Sequence, residues 1–123
     1  MKLFLILGGT MSFLFVAIGA FGAHALAERL EANGYTATFE TGVQYHMIHA
    51  LALVAVAILT QHLSSNGLLH GAGWAFFTGI IIFSGSLYAL SLTGIRVLGA
   101  ITPIGGVAFL TGWVLLIIAA FME

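Results

Sequence analysis

Four apolar segments, each long enough to cross a lipid bilayer, make up most of this chain. A membrane-spanning helix needs about 20 predominantly apolar residues. Of the 123 residues, 61% are hydrophobic and 6% are charged, whereas about a quarter of the residues of a soluble domain are charged. So few charged side chains do not cover a chain of this size with a water-compatible surface. The sequence therefore predicts a single membrane-embedded domain over residues 1–123.

Glycines and polar turns mark the ends of the predicted helices. The first span, residues 3–26, continues into a short helical segment that Asn33-Gly34 ends. A polar turn, Ser64-Ser65-Asn66-Gly67, separates the second span (residues 38–63) from the third (residues 69–92). The fourth span covers about residues 99–122. The predicted fold is an all-α bundle of four transmembrane helices, with both termini on the same side.

Two boundaries have alternatives. Thr102 followed by Pro103 is typical of a helix start, which makes residues 95–101 an interfacial connector. The alternative is a helix that begins near Ile95 and kinks at the proline. At the N-terminus, Ala23-His24-Ala25 resembles a signal-peptide cleavage site, but the preceding apolar run is longer than a typical signal core. We therefore expect a retained first helix.

The composition argues against several classes of function. A net charge of −1, with three Lys and Arg residues in total, provides no basic surface for nucleic acid or for acidic lipid headgroups. The absence of cysteine excludes thiol catalysis and thiolate-bound metal. The absence of aspartate and of a G-x-S-x-G turn disfavours a nucleophilic triad. We therefore expect a protein that is not an enzyme.

The second span carries polar side chains into an apolar run. Gln44, Tyr45, His46 and His49 follow Glu40 in this span. Unpaired polar side chains in hydrocarbon cost several kcal/mol, so they should face one another inside the bundle. Residues three or four apart share a helix face. We predict a polar cluster toward the first and third loops, formed by His24, Glu40, Tyr45, His49, Ser86 and Tyr88.

Three hypotheses explain such a cluster. It is structural, with hydrogen bonds that fix the helix register, or it is a ligand or proton site, since neutral imidazole titrates near physiological pH. The third hypothesis is a metal or haem site, for which His24, His46 and His49 are weak candidates because no third strong ligand accompanies any pair. We expect no cofactor.

The third span carries a stripe of small residues. Gly71, Ala75 and Gly79 recur at four-residue intervals and therefore share one helix face. Small residues let two membrane helices approach closely. The stripe is a candidate packing surface, either within the bundle or against a partner protein.

Four strings in the sequence resemble a known family. They are GAFGAH (19–24), ETGVQYHMIHALAL (40–53), FSGSLY (83–88) and TPIGGVAFLTGW (102–113). Together they resemble the small bacterial inner-membrane proteins grouped as domain-of-unknown-function family 423, and eukaryotic transmembrane protein 256 is similar in general plan. The resemblance implies a four-helix, multi-pass protein of the bacterial plasma membrane, without an established activity. The positions that match the family motifs are Gly22, His24, Gly42, Tyr45, His49, Ser84, Gly85, Ser86, Tyr88, Thr102, Pro103, Gly105, Gly106, Gly112 and Trp113.

One position departs from the family pattern. The family tends to have Tyr-Gln-x-x-His where this chain has Tyr45-His46-Met47-Ile48-His49. If glutamine serves equally well at position 46, a metal-binding role for His46 is disfavoured. This departure favours His24 and His49 as the site residues.

These observations lead to one expected function and two alternatives. We expect a non-enzymatic scaffold or an accessory subunit, in contact with the lipid bilayer and with a homo-oligomer or a larger membrane complex as its assembly. The first alternative is a carrier or binding protein for a lipid-like or small polar ligand, and the second is a haem- or metal-binding protein. A cavity of a few hundred Å3 beside His49 would favour a binding protein, whereas a solidly packed core there would favour a structural role.

Overall fold

The computed structural model describes residues 2–123, which form helices joined by short turns. Six are α-helices: α1 (Lys2–Ala23), α2 (Ala27–Asn33), α3 (Thr36–Leu59), α4 (Asn66–Gly79), α5 (Gly85–Thr93) and α6 (Thr102–Phe121). A π-helical segment, Ile80–Ser84, joins α4 to α5, and a 3-10 helix, Arg96–Ala100, precedes α6. Four stretches are long and apolar enough to cross a membrane: Lys2–Ala23, Thr36–Leu59, Asn66–Thr93 and Arg96–Phe121. The predicted four-span, all-α membrane bundle is confirmed.

Both ends of the chain lie beside the turn between α3 and α4. The Glu123 carboxylate accepts hydrogen bonds from the Ser64 backbone N (3.1 Å) and from Ser64 Oγ (2.9 Å). The hydrogen bond from the Ser64 side chain lowers the pKa of the Glu123 carboxyl. Near the N-terminus, the Phe4 ring makes an edge contact with His70 in the first turns of the third span, with 5.3 Å between centroids. The prediction that both termini share one side is therefore confirmed.

The first two spans end earlier than predicted. Residues 24–26 form a turn rather than the end of the first span, because the Leu26 N–H donates to the Phe21 carbonyl (2.9 Å) and directs the chain into α2. The second span ends at Leu59 rather than at residue 63. There the Thr60 hydroxyl donates to the Ala57 carbonyl (2.7 Å), and a turn follows.

The later of the two predicted starts of the fourth α-helix is correct. Helix α6 begins at Thr102, with Pro103 in its first turn. Backbone N–H groups in the first turn have no intrahelical acceptor, so the N–H that proline lacks costs the helix no hydrogen bond. The preceding apolar residues form the 3-10 helix, and Val97 within it is 67% exposed. This segment is thus the predicted connector.

Helix α2 closes the end of the third span. The last carbonyls of a helix have no intrahelical donor, and here Arg29 Nη2 donates to the Leu92 carbonyl (3.0 Å). Asn33 Nδ2 lies 3.5 Å from the Ser91 carbonyl. Gly34 then ends α2 with a φ of 75°, which glycine adopts without steric strain, as the sequence predicted.

The spans pack in antiparallel pairs. Helix α1 packs along α3, and α6 packs along α4, while α3 and α4 also contact each other. The small-residue stripe of α4 faces α6, because a Cβ on Gly71 would lie 3.1 Å from the Leu115 side chain and the Phe109 ring covers Gly79. The stripe is therefore a packing surface within the bundle.

Gly105 brings the start of α6 against the π-helical segment. A Cβ on Gly105 would lie 2.7 Å from the Phe83 Cα, and backbone atoms in a packed helix do not shift easily to make room. π-Helical turns occur in short pieces, often at functional sites. This one places Phe83 between α3 and α6.

We predict that two adjacent glycines respond differently to alanine. Gly105→Ala should lower the free energy of unfolding by about 1–3 kcal/mol, because overpacking forces the backbones apart. Gly106→Ala is the matched control, since the nearest atom to its Cβ position is 3.9 Å away. Thermal unfolding in detergent would measure both, and equal stability of the two variants would contradict the close approach.

Candidate functional site: the His49 cluster and its groove

Six ring side chains from three spans meet near the middle of the bundle. His49 is at the centre of this group and is 4% exposed. It lies 13 residues after the start of α3, about 20 Å along a helix of about 36 Å. The group, hereafter the His49 cluster, consists of Tyr45, His49, Phe76, Phe83, Phe109 and Trp113.

Both ring nitrogens of His49 have hydrogen-bond partners. Trp113 Nε1 of α6 donates to His49 Nε2 (3.0 Å). His49 Nδ1 lies 2.8 Å from the carbonyl oxygen of Tyr45, one turn earlier in α3. Because an indole N–H only donates and a carbonyl only accepts, the proton lies on Nδ1 and the lone pair on Nε2. The imidazole is therefore neutral in this arrangement, and each nitrogen is satisfied.

The stacking of His49 depends on small residues opposite the rings. The His49 and Phe109 rings are nearly parallel (7°), with centroids 3.6 Å apart. The Phe109 ring lies over Gly79, and the Phe76 ring lies over Gly112. Any side chain at either glycine would occupy the volume of a ring, so the small residues of α4 and α6 allow the cluster to form.

A groove runs beside the cluster between α3 and α6. It has a volume of about 400 Å3 and opens toward the outside of the bundle, where Leu110 is 67% exposed. Tyr45 and Trp113 line it and are 40% and 37% exposed. The remaining lining residues are His49, Phe83, Pro103, Gly106, Val107, Phe109 and Leu110. The groove is therefore an open surface groove of a few hundred Å3 beside His49, whereas the rings around His49 itself are closely packed.

His46 and Tyr88 form a second buried polar contact, closer to the loop between α2 and α3. His46 Nδ1 is 2.8 Å from the Tyr88 hydroxyl of α5, and His46 is 2% exposed. Within residues 2–123, His46 Nε2 and Ser12 Oγ are buried atoms without a hydrogen-bond partner. His46 also makes an edge contact with Phe15 of α1 (centroids 5.9 Å apart). The predicted site residue Tyr88 thus pairs with His46 rather than with His49.

The serines of the third span bond to backbone and to the start of α6. Ser84 Oγ donates to the Gly42 carbonyl of α3 (2.7 Å). Ser86 Oγ lies 2.6 Å from Thr102 Oγ1 and donates to the Phe83 carbonyl (2.9 Å). Ser86 therefore fixes the start of α6 and does not contact His49.

Besides Tyr88 and Ser86, two further predicted members lie outside the His49 cluster. His24 is exposed in the turn after α1 and lies beside Ala20, Phe21 and Ala25. The prediction that His24 joins His49 is wrong, because α1 packs along α3 whereas His49 faces α6. Glu40 is exposed and lines a separate groove between α1 and α3, so the structure does not place it with His49 either.

The three weak metal candidates do not form a ligand set. His24, His46 and His49 have separate surroundings, and the Nε2 lone pair of His49 accepts from Trp113. Residues 2–123 contain no group of three or more His, Cys, Asp or Glu side chains placed to share a metal ion.

Comparison with known proteins identifies the family. The family described as protein of unknown function DUF423 matches residues 18–106, most of the chain. This chain belongs to the DUF423 family. The resemblance found in the sequence motifs is therefore confirmed. The matched segment includes Tyr45 and His49 on α3, whereas Phe109 and Trp113 of α6 lie beyond it.

Several relatives of this DUF423 protein are similar over nearly their whole length. The UPF0382 membrane protein YwdK of Bacillus subtilis (strain 168) is 52% identical over 120 residues, which is 98% of this chain and 97% of that protein. A UPF0382 membrane protein of Staphylococcus haemolyticus is 48% identical over 121 residues, with 98% and 97% covered. No solved structure matches the chain significantly. With its four apolar spans, the chain is a multi-pass bacterial membrane protein.

We predict that the two histidines differ in their contribution to stability. His49→Ala should lower the free energy of unfolding by about 1–3 kcal/mol, because it removes a buried ring that packs on Phe109 and leaves the Trp113 N–H without its acceptor. His24→Ala is the matched control and should change stability by less than about 0.5 kcal/mol, since the side chain is exposed. Thermal unfolding in mild detergent measures both, and a His49→Ala variant as stable as the wild type would contradict a stabilising hydrogen bond between Trp113 and His49.

Proposed function

We propose that this protein is a non-enzymatic membrane protein that binds a neutral, lipid-like molecule in the groove between α3 and α6. The observation that carries the proposal is the groove of about 400 Å3 directly beside the His49 cluster. Ligand sites are typically about 300–1,000 Å3 in volume and are mostly apolar, with few polar groups. The groove matches this description in both size and lining.

The position of the groove favours a lipid-like molecule. Its α6 wall runs from Pro103 in the first helical turn to Trp113. Ten residues of helix correspond to about 15 Å, so the groove extends from the membrane interface toward the middle of the bilayer. A lipid-like molecule enters such a groove sideways from the membrane without crossing water.

The lining favours a neutral molecule. The groove is lined by no Lys, Arg, Asp or Glu side chain, and an unpaired charge at this depth is costly. His49 does not offer a free nitrogen, because Trp113 and the Tyr45 carbonyl occupy both. The ligand therefore makes mainly apolar contacts.

The hydrogen bonds of the site support a non-enzymatic role. Nucleophilic catalysis needs a hydroxyl or thiol within reach of a base. The Ser84 and Ser86 hydroxyls donate instead to the carbonyls of Gly42 and Phe83, and both nitrogens of His49 are occupied. The side chains that would serve as nucleophile and base thus stabilise the helix contacts.

The alternative role as a scaffold or accessory subunit has less support. Its candidate surface was the stripe of Gly71, Ala75 and Gly79, which packs within the bundle against Leu115 and Phe109 of α6. A surface that is covered within the chain does not dock a partner, whereas the groove is open.

Filling the groove should release the bound molecule. Gly106→Leu places a side chain in the open space above Phe83, so native mass spectrometry of protein purified from bacterial membranes should show a neutral lipid-like molecule on the wild type and little on this variant. Gly9→Leu is the matched control, because the Cβ position of Gly9 on exposed α1 surface has no atom within 4 Å. Equal retention by Gly106→Leu and Gly9→Leu would contradict the proposal.

A further inference from the structure

We infer that the molecule held in this groove is an isoprenoid quinone, with its flat ring against the aromatic walls and a ring carbonyl that accepts a hydrogen bond from Tyr45. This inference rests on the proposed function, because it names the ligand class of the same groove. It concerns binding alone and includes no electron transfer.

The aromatic walls favour a flat ring over a saturated chain. The Tyr45 and Phe83 rings lie at one end of the groove with centroids 4.7 Å apart, and Phe83 contacts Phe109 at 5.3 Å. Trp113 lines the other end and is partly exposed. Aromatic rings pack with one another in offset or edge geometries that add to the energy of area burial. A flexible acyl chain has no ring and does not gain this additional packing energy.

Tyr45 carries the one side-chain hydrogen-bond donor of the groove lining that is not engaged with another group, because those of His49 and Trp113 have partners. The Tyr45 ring packs on Phe83 and lines the groove, and its hydroxyl takes part in none of the side-chain hydrogen bonds found among residues 2–123. Its Cα lies nine residues after Thr36, about 13 Å along the helix. A tyrosine hydroxyl donates one hydrogen bond. The matching ligand carries a carbonyl on a ring that enters the hydrocarbon.

The absence of charge along the groove is consistent with this ligand class. A phosphate or ammonium headgroup would find no counter-charge among the side chains that line it. The ring of a quinone is neutral, and its isoprenoid tail is apolar. The tail follows the exposed Val107 and Leu110 side chains, which are 62% and 67% exposed on α6.

The test is a fluorescence titration in which Trp113 is the reporter. The protein is placed in phosphatidylcholine nanodiscs with Trp74→Phe, which removes the other tryptophan, and is titrated with a naphthoquinone that carries a geranyl tail. We expect saturable quenching of Trp113. Tyr45→Phe should raise the Kd about fivefold to tenfold, the effect of one lost hydrogen bond. Tyr35→Phe, outside the groove, should leave it unchanged.

Each other outcome overturns the inference. Quenching that rises linearly with quinone, or an equal Kd for the wild type and Tyr45→Phe at equal thermal stability, shows that Tyr45 does not recognise the ring. Dibrominated phosphatidylcholine that quenches Trp113 and competes equally with the quinone identifies an acyl chain as the occupant. If quinone binding fails but Gly106→Leu still releases a neutral molecule, the proposed function stands and the quinone does not. If Gly106→Leu releases nothing, the proposed function itself fails.

Discussion

The hydrogen bond from the Trp113 indole to His49 is the interaction on which the rest of the structure depends. An imidazole near the middle of a bilayer has no water to bond, so each free nitrogen would cost the desolvation energy of a polar group. Here the Tyr45 carbonyl takes one nitrogen and Trp113 takes the other. The same hydrogen bond fixes α3 relative to α6 and orients the His49 ring. Phe109 stacks on that ring.

The groove is a consequence of how α3 and α6 are connected. Helix α6 packs along α4 and the π-helical segment, and it reaches α3 through the rings of the His49 cluster. Rings that bridge two helices hold them apart, and the space beside the bridge is the groove. Gly105 brings α6 close to Phe83 at one end. The His49 ring, whose two nitrogens both have hydrogen-bond partners, and the open apolar groove beside it therefore both result from the way in which α6 packs.

The spans and their ends could largely be predicted from the sequence. Bilayer thickness sets the length of an apolar helix, and Gly34 and Pro103 act through backbone geometry that is local. The membership of the site could not be predicted in the same way. Sequence position gives the approximate depth of a side chain but not its direction around the bundle, so the sequence predicts His24 near His49, whereas the structure places it in the exposed turn after α1. The partner of His49 on α6, Trp113, depends on helix rotation. The π-helical turn at Ile80–Ser84 also shifts that rotation, and its one local sign is a run of β-branched isoleucines between glycines.

The most direct test of this account is the protonation state of the His49 ring in a bilayer. Nitrogen-15 NMR of selectively labelled histidine, assigned with His49→Ala, distinguishes the two neutral tautomers from imidazolium. The account predicts a neutral ring with the proton on Nδ1. It also predicts that the nitrogen-15 chemical shift of the unprotonated Nε2 changes in Trp113→Phe, because that substitution removes its hydrogen-bond donor. A proton on Nε2, or a ring signal that does not respond to Trp113→Phe, would contradict the hydrogen bond that joins α3 to α6.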